Sequence, residues 1–186
     1  MSFFGVIRGI FGSNEVAPIR IDASTHTIQV IDYAHHEIHS GSNFFHKNCN
    51  TLGNGGVIEF LLITPDTDKE PHFVFNLATE AECTTEVFVG TTYSAVGTAI
   101  PIFNRNGRSA NVATLSGYTG PTITTDGTSV ACYKTGSGKS EGGDAGARHE
   151  LILAKNQTYL MRITNDTTNT IWIDYLFDWY EHTPRD

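Results

Sequence analysis

The chain has 186 residues and a formal net charge of -8, with 39% hydrophobic and only 17% charged residues. This length suits one domain with its own hydrophobic core. The acidic balance argues against nucleic acid as a partner, because a phosphate backbone repels such a surface and no Lys/Arg cluster interrupts it. Low charge and eighteen glycines favour short strands and turns over amphipathic helices.

The N-terminal segment Met1–Gly12 is apolar. It is too short to span a bilayer and lacks a basic start or a convincing cleavage site, so we expect it in the working protein, with no membrane partner. Its apolar side chains recur at helical spacing, although Gly5 and Gly9 weaken a helix there. Two interpretations stay open: the segment packs on its own domain, or it docks onto another chain. The residues concerned are Phe3, Phe4, Val6, Ile7, Ile10 and Phe11.

The chain is predicted to consist of an extended N-terminal arm over residues 1–40 and one β domain over residues 41–186. Three cysteines, Cys49, Cys83 and Cys132, are widely spaced and odd in number. We therefore expect free thiols, since this spacing matches neither a disulfide framework nor a paired-cysteine zinc site.

From Val57 onward, short β-branched and aromatic runs alternate with Gly, Pro, Asn and Asp. No helical run is long enough to cross between parallel strands, so the pattern predicts an all-β antiparallel sandwich or barrel. The predicted strands are VIEFLLITP, HFVFNLATE, TTEVFVGTTY, TAIPIFNR, TSVACYKTG, ELILAKN, TYLMRITN and TIWIDYLFDWYEH. Two stretches, residues 105–128 and 136–148, are predicted to be long loops because they are rich in Gly, Ser and Thr.

Alternation within two of these runs predicts which side chains share a sheet face. In TTEVFVGTTY, Val87 and Val89 fall on one face and Glu86 and Phe88 on the other, which indicates a strand covered on both faces. In the last run, one face holds Ile171, Ile173, Tyr175 and Phe177, and the other holds Trp172, Asp174, Leu176, Asp178 and Tyr180.

The string GSGKS, residues 136–140, resembles part of a phosphate-binding loop. The motif requires a glycine five residues before Gly138, and that position is Tyr133. The glycines that follow also disfavour the helix whose N-terminus would hold a phosphate. A surface loop is the better interpretation.

The string HHEIH holds the histidines His35, His36 and His39, which are the candidate metal ligands. On a strand, His35 and His39 would share a face with Glu37, and on a helix His35 or His36 would pair with His39. Either spacing permits a metal, and either also suits polar contacts at a subunit or arm surface. No cofactor is expected, because nothing in the sequence supplies the converging ligands and supporting shell that a metal site needs.

Other candidate chemistry is weaker. Asp174 and Asp178 are predicted to share a strand face about 13 Å apart, which is too long for either glycosidase geometry. No serine nucleophile elbow is present. The aromatic residues of the last run could stack on sugars, but an alternating aromatic strand is expected to turn half of them into the core.

Several strings resemble a family of tailed-phage particle proteins: DASTHTIQVIDYAHHEIHSGSNFF, NRNGRS, GSGKSEGG, ELILAKNQTYLMRITN and IDYLFDWYEH. The resemblance covers most of the chain from about Asp22 and implies a head decoration, or cement, protein with a jelly-roll-like domain. It further implies a location on the outside of the capsid, the major capsid protein as partner, and a homo-oligomer, most simply a trimer. The family supplies no catalytic residues to carry over.

Within this interpretation, the apolar head provides the capsid contacts and Trp179 and Tyr180 provide the oligomer interface. The alternatives are a fibre or receptor-binding module that recognises host glycans, and a particle-borne polysaccharide hydrolase. Copy number and position on the particle distinguish decoration from a fibre, and activity on polysaccharide would identify the hydrolase.

Overall fold

A computed structural model describes residues 33–136 and 150–183. The described residues form one short helix and thirteen strands, whose bounds are α1 Tyr33–Ser40, β1 Asn43–Leu52, β2 Val57–Ile63, β3 Glu70–Thr79, β4 Cys83–Val89, β5 Thr92–Ala95, β6 Thr98–Ala99, β7 Phe103–Asn104, β8 Ser116–Thr119, β9 Thr122–Thr125, β10 Thr128–Thr135, β11 Glu150–Ile152, β12 Thr158–Asn165 and β13 Ile171–His182.

The chain divides between His36 and Glu37 into two units, and all thirteen strands belong to the second. Of the predicted arm, residues 1–40, the structure describes only the last part, which is helix α1. The HHEIH string is therefore helical.

The strands form two large antiparallel sheets. The first has the order β11-β3-β13-β1-β7, with β13 between its long neighbours β1 and β3. The second has the order β10-β4-β12-β2-β8-β6, and a separate two-stranded sheet joins β5 to β9. The long strands are those that the β-branched and aromatic runs predicted, because such side chains suit a pleated, half-buried surface.

Eight strands follow the order of a jelly roll. The first sheet contains the run β11-β3-β13-β1 and the second contains β10-β4-β12-β2, so that β1 to β4 alternate between the sheets in chain order. From β10 onward the strands alternate again, but they start in the second sheet. β10 and β12 lie in the second sheet, and β11 and β13 lie in the first. Two antiparallel sheets of four strands connected in this way make a jelly roll. The predicted all-β antiparallel sandwich of jelly-roll type is confirmed.

The five remaining strands lie in residues 90–127, here called the insertion, which connects β4 to β10. Within the insertion β8 pairs with β2, and β7 pairs with β1. The insertion therefore extends both sheets on the side formed by β1 and β2. The predicted loop over residues 105–128 is wrong in part, because it contains β8 and β9 and the first residue of β10.

The predicted strand TAIPIFNR is also corrected. It divides into β6, which belongs to the second sheet, and β7, which belongs to the first. Pro101 lies between them, and proline has no N–H to donate to a strand ladder. The nitrogen of Ile100 still donates to Gly117, at 3.0 Å, so the chain leaves the second sheet at the proline.

Two pairs of glycines bend the insertion. Gly90 directly follows β4, and Gly127 directly precedes β10. Their φ angles are 74° and 90°. Gly97 and Gly120 occupy the equivalent places between the β5–β9 and β6–β8 pairs, with φ of 85° and 64°. Positive φ is costly for residues with a Cβ, so glycine permits both bends.

The main core lies between the two large sheets. Phe60 of the second sheet packs edge to face on Phe177 of the first, with ring centroids 4.9 Å apart, and lies 4.9 Å from the ring of Tyr175. These three residues are at most 2% exposed. The predicted inner face of β13 is confirmed, since Ile171, Ile173, Tyr175 and Phe177 are all in this core.

A second apolar cluster lies on the opposite face of the second sheet. Leu61, Phe88 and Leu160 are adjacent in register and are 0%, 8% and 0% exposed, although the main core lies on the other face. The prediction that one strand is covered on both faces is confirmed for β4, where Val87 is 4% and Phe88 8% exposed.

Arg162 ties the insertion to this second face. Its guanidinium binds both carboxylate oxygens of Asp126, at 2.7 and 2.8 Å, and one oxygen of Glu59 at 2.7 Å. It also lies over the Phe88 ring, 5.3 Å from the centroid. Hydrogen bonding to Arg162 lowers the pKa of Asp126, and the same bond raises the pKa of Arg162.

Candidate functional site

The outer face of the first sheet, which is turned away from the second sheet, carries a set of large apolar side chains. The register distributes them over the face: Phe103 lies beside Phe45 at the β7 edge, and Ile152 lies beside His72, which in turn lies beside Tyr180, at the β11 edge. Three are largely exposed, Phe103 at 52%, Ile152 at 59% and Trp172 at 43%. The apolar set is Phe45, Val74, Phe103, Ile152, Trp172 and Leu176.

Aromatic rings and a bidentate ion pair form the β7 end of this outer face. The Phe45 and Phe103 ring centroids are 5.8 Å apart, and the Arg105 guanidinium lies 4.9 Å from the Phe45 centroid. Arg105 also donates to both carboxylate oxygens of Asp178, at 2.6 and 3.1 Å. An arginine fixed in this way against an aromatic ring keeps its planar face available to a partner at little entropic cost.

Hydrogen bonds hold the edge strand β11 at the other end of the outer face. The Tyr180 hydroxyl donates to Oε1 of Glu150 at 2.7 Å, and Nδ1 of His72 binds the same oxygen. The rings of His72 and Tyr180 stack with centroids 4.5 Å apart. This cluster connects β11 to β3 and β13, and it thereby positions Ile152, the last residue of β11.

Both acids of the predicted pair lie on the outer face, as the alternation indicated. Asp174 binds Lys47 at 3.2 Å, and Asp178 binds Arg105. Each carboxylate is thus paired with a base from a neighbouring part of the first sheet. The two acids therefore form separate charge pairs on the outer face.

The two residues predicted at an oligomer interface lie on different faces. Trp179 is 2% exposed and packs in the main core, where its Nε1 donates to Glu181 at 3.0 Å. Trp179 is therefore not at the surface, which corrects its placement at an interface. Tyr180 is on the outer face but is only 6% exposed, because it lies within the cluster with His72 and Glu150.

The predicted metal ligands His35, His36 and His39 are exposed residues of α1. Glu37, between them, is 5% exposed, and Ser40 donates to its carboxylate at 3.3 Å. Across residues 33–136 and 150–183, no three or more His, Cys, Asp or Glu side chains come together in a way that suits a metal ion.

Two predictions fall outside the described residues. The capsid-contact set Phe3, Phe4, Val6, Ile7, Ile10 and Phe11 lies before Tyr33, and the GSGKS string lies outside the described residues except for its first residue, Gly136. Within the part of the chain that the structure describes, no helix has the length and apolar character needed to cross a membrane.

Sequence reasoning did not identify Phe103, Arg105 or Ile152 as candidate surface residues. A signal was present for Ile152, because alternation in ELIL places Glu150 and Ile152 on one face. Phe103 carried no such signal, since the run containing it is divided between two sheets. Comparisons of the chain with family models, with curated proteins and with solved structures find no match.

Proposed function

We propose that this chain is a head decoration protein of a tailed phage, a binding protein rather than an enzyme, which attaches to the outer surface of the capsid. The observation that carries the proposal is the outer face of the first sheet, where Phe103, Ile152 and Trp172 are exposed and two ion pairs lie on the same face. Aromatic residues and arginine are enriched at the centres of protein interfaces. Jelly rolls also occur among capsid proteins, although a fold alone does not decide function.

The attachment surface and the apolar head have separate roles in this proposal. The sheet face supplies a rigid patch, and the segment Met1–Gly12 adds contact with the major capsid protein. A segment that binds in extended form contacts more partner surface per residue than a compact domain does. Both contacts would join neighbouring capsid subunits.

The first experiment locates the chain on particles of the virus that encodes it. We expect hundreds of copies on the head, seen by labelled antibody in electron microscopy and counted by quantitative mass spectrometry. A few copies at the tail would contradict decoration and support the fibre alternative. Hydrolysis of capsule or cell-wall polysaccharide by the purified chain would contradict the assignment as a binding protein.

The second experiment tests the outer face directly. Phe103→Glu is expected to weaken binding to stripped particles at least tenfold, because it places a charge in the apolar contact. Val130→Glu is the matched control, since Val130 is 51% exposed and lies on the second sheet. Equal binding of the two variants, with unchanged melting temperatures, would place the attachment surface elsewhere.

We also propose that the chain forms a closed homo-oligomer, with a trimer as the simplest form on threefold capsid positions. Sedimentation equilibrium of the full chain at rising concentration checks this. A monomer at all concentrations would mean that assembly depends on the capsid lattice.

A further inference from the structure

A cavity of about 300 Å³ opens between the strands that the insertion adds to the two sheets. Eleven of its lining residues belong to the insertion, and Phe44 of β1 is the twelfth. The apolar part of the wall consists of Phe44, Ala99, Ile100, Ile102, Val112, Ala113 and Leu115. The cavity is thus a property of the insertion and not of the eight-stranded jelly roll.

The wall determines which ligands suit the cavity. The chain carries a net charge of -8, yet no Asp, Glu, Lys, Arg or His lines this space. A charged ligand would lose its hydration without gaining a partner charge. Asn104, Asn111, Ser116 and Tyr118 also line the cavity, so its wall is partly polar. A neutral ring with a polar hydrogen-bonding group therefore matches the wall better than an ion does.

Hydrogen bonds from outside the cavity hold its wall in place. His46 donates from Nδ1 to the carbonyl of Pro101 at 2.8 Å, between the lining residues Ile100 and Ile102. The carboxylate of Glu181 accepts from the backbone nitrogen of Leu115 at 3.0 Å. The cavity is consequently formed before a ligand arrives, which reduces the entropy lost on binding.

Hydrogen bonds also fix one side of the cavity lining. The side-chain amides of Asn104 and Asn111 both donate to the carbonyl of Gly41, at 2.8 and 3.2 Å. Both residues line the cavity, and Gly41 lies between α1 and β1. Because Asn104 and Asn111 are both held by Gly41, the side of the cavity that they line has a defined shape.

We propose that this cavity is a binding site for a neutral aromatic group of about the size of indole. Small-molecule pockets begin near 300 Å³, so the volume suits a single- or double-ring group. The group is either a free small molecule or a side chain presented by a partner protein. Its binding does not depend on the proposed capsid function.

The test uses the full chain and indole as the probe, with benzoate as the charged comparison. Binding is followed by saturation-transfer NMR titration and by the melting temperature. We expect saturable, roughly millimolar binding of indole, as suits a fragment of this size, with a rise in melting temperature and no response to benzoate. Absence of saturable indole binding, or equal binding of benzoate, would overturn the proposal.

A pair of variants locates the binding. Ala99→Phe fills the cavity from its exposed side, and Ala95→Phe makes the same change at an exposed residue of β5 outside the lining. We expect Ala95→Phe to bind indole as the wild type does and Ala99→Phe to bind at least tenfold more weakly. If Ala99→Phe loses its cooperative melting, Ala113→Leu replaces it as the filling variant. Wild-type affinity in a folded filling variant would refute the site.

The same pair distinguishes the two sources of the aromatic group. In the particle-binding assay, weaker attachment of Ala99→Phe than of Ala95→Phe means that a shell protein supplies the group. Equal attachment, with indole binding lost only in Ala99→Phe, means that the ligand is a free molecule. Failure of the capsid proposal leaves the indole result unchanged, so the two proposals fail separately.

Discussion

At the residue scale, a buried carboxylate joins the insertion to the sandwich. Glu181 is 2% exposed, and it accepts hydrogen bonds from the backbone nitrogens of Thr114 and Leu115 and from Nε1 of Trp179, at 2.9 to 3.0 Å. The Thr114 hydroxyl donates to it as well, at 2.8 Å. One side chain therefore satisfies donors from β13 and from the segment that leads into β8.

Replacing Glu181 by Ala leaves these donors buried without an acceptor. We expect the free energy of unfolding to fall by about 3 kcal/mol, because each unsatisfied buried donor costs on the order of 1–3 kcal/mol. Urea denaturation measures the change. Glu82→Ala, at an exposed position, is the control and should change stability by less than about 0.5 kcal/mol. A loss below about 1 kcal/mol for Glu181→Ala would show that water or another group replaces the carboxylate.

His46 gives the protein a pH dependence of known sign. It is 3% exposed, between the rings of Tyr175 and Phe177, and burial lowers its pKa below the usual histidine value of 6.5. As pH falls below about 6.5, the unfolded chain binds a proton that the folded chain does not. The stability present above 6.5 is therefore lost progressively until the pH reaches the lowered folded-state pKa.

His46→Asn tests this dependence, because the asparagine amide can still donate to Pro101 but does not titrate. We expect the urea midpoint of the wild type to fall more steeply between pH 7 and pH 5 than that of the variant. Parallel pH profiles for the two chains would assign the acid sensitivity to other groups, such as the remaining histidines.

The alternation of β13 predicted its side-chain placement correctly, and it also contains the information that Trp179 is a core residue. Trp179 follows Phe177 by two positions, so a continuing strand places both on the inner face. The prediction that Trp179 lies at an interface relied on its aromatic character and did not use the two-residue alternation of the strand. Tyr180 falls on the outer face by the same rule, but its burial depends on His72 and Glu150, which come from distant parts of the chain.

At the element scale, the insertion depends on glycine where it leaves and rejoins the jelly roll. Gly127 has a φ of 90°, and a Cβ there would collide with the carbonyl of Val89. Gly127→Ala should therefore lower the unfolding free energy by about 2 kcal/mol or more. Gly107→Ala is the matched control, because Gly107 is exposed and has open space around its Cβ position. Equal melting temperatures of the two variants would mean that the bend relaxes without strain.

The sequence predicted the long strands but not the insertion, for a physical reason. Strands such as β2, β12 and β13 are long and strongly patterned, so local composition determines them. The strands of the insertion have two to four residues, several of them threonine, and glycines lie between them. Their pairing follows from the glycine bends and from contacts such as Arg162 with Asp126, which a local pattern does not encode.

At the scale of the whole molecule, the insertion is predicted to be separable from the jelly roll. Val89 pairs with Thr128, so joining Gly90 directly to Gly127 leaves a two-residue Gly-Gly hairpin between β4 and β10. Both glycines already have positive φ, which a type I′ turn requires. We expect a chain lacking residues 91–126 to keep a β-type circular dichroism spectrum and cooperative melting, at a lower temperature than the full chain.

That deletion removes two residues next to the second apolar cluster, Tyr118 beside Leu61 and Asp126, the partner of Arg162, so solubility should fall unless Leu61, Phe88 and Leu160 are replaced by threonine. The substituted deletion is therefore the better test of folding. A chain with non-cooperative melting in both forms would show that the insertion is an integral part of the sandwich.

The central place of β13 has a consequence for synthesis of the chain. β13 is the last of the strands in the described residues, yet it separates β1 from β3 in the first sheet. A nascent chain on the ribosome can pair β2 with β12 and β4 before β13 emerges, but it has no partner to place between β1 and β3. Unpaired strand edges are prone to association with other chains. The first sheet can therefore close only after β13 has left the ribosome, and a ribosome that stalls shortly before Ile171 would release a chain with two of its longest strands exposed.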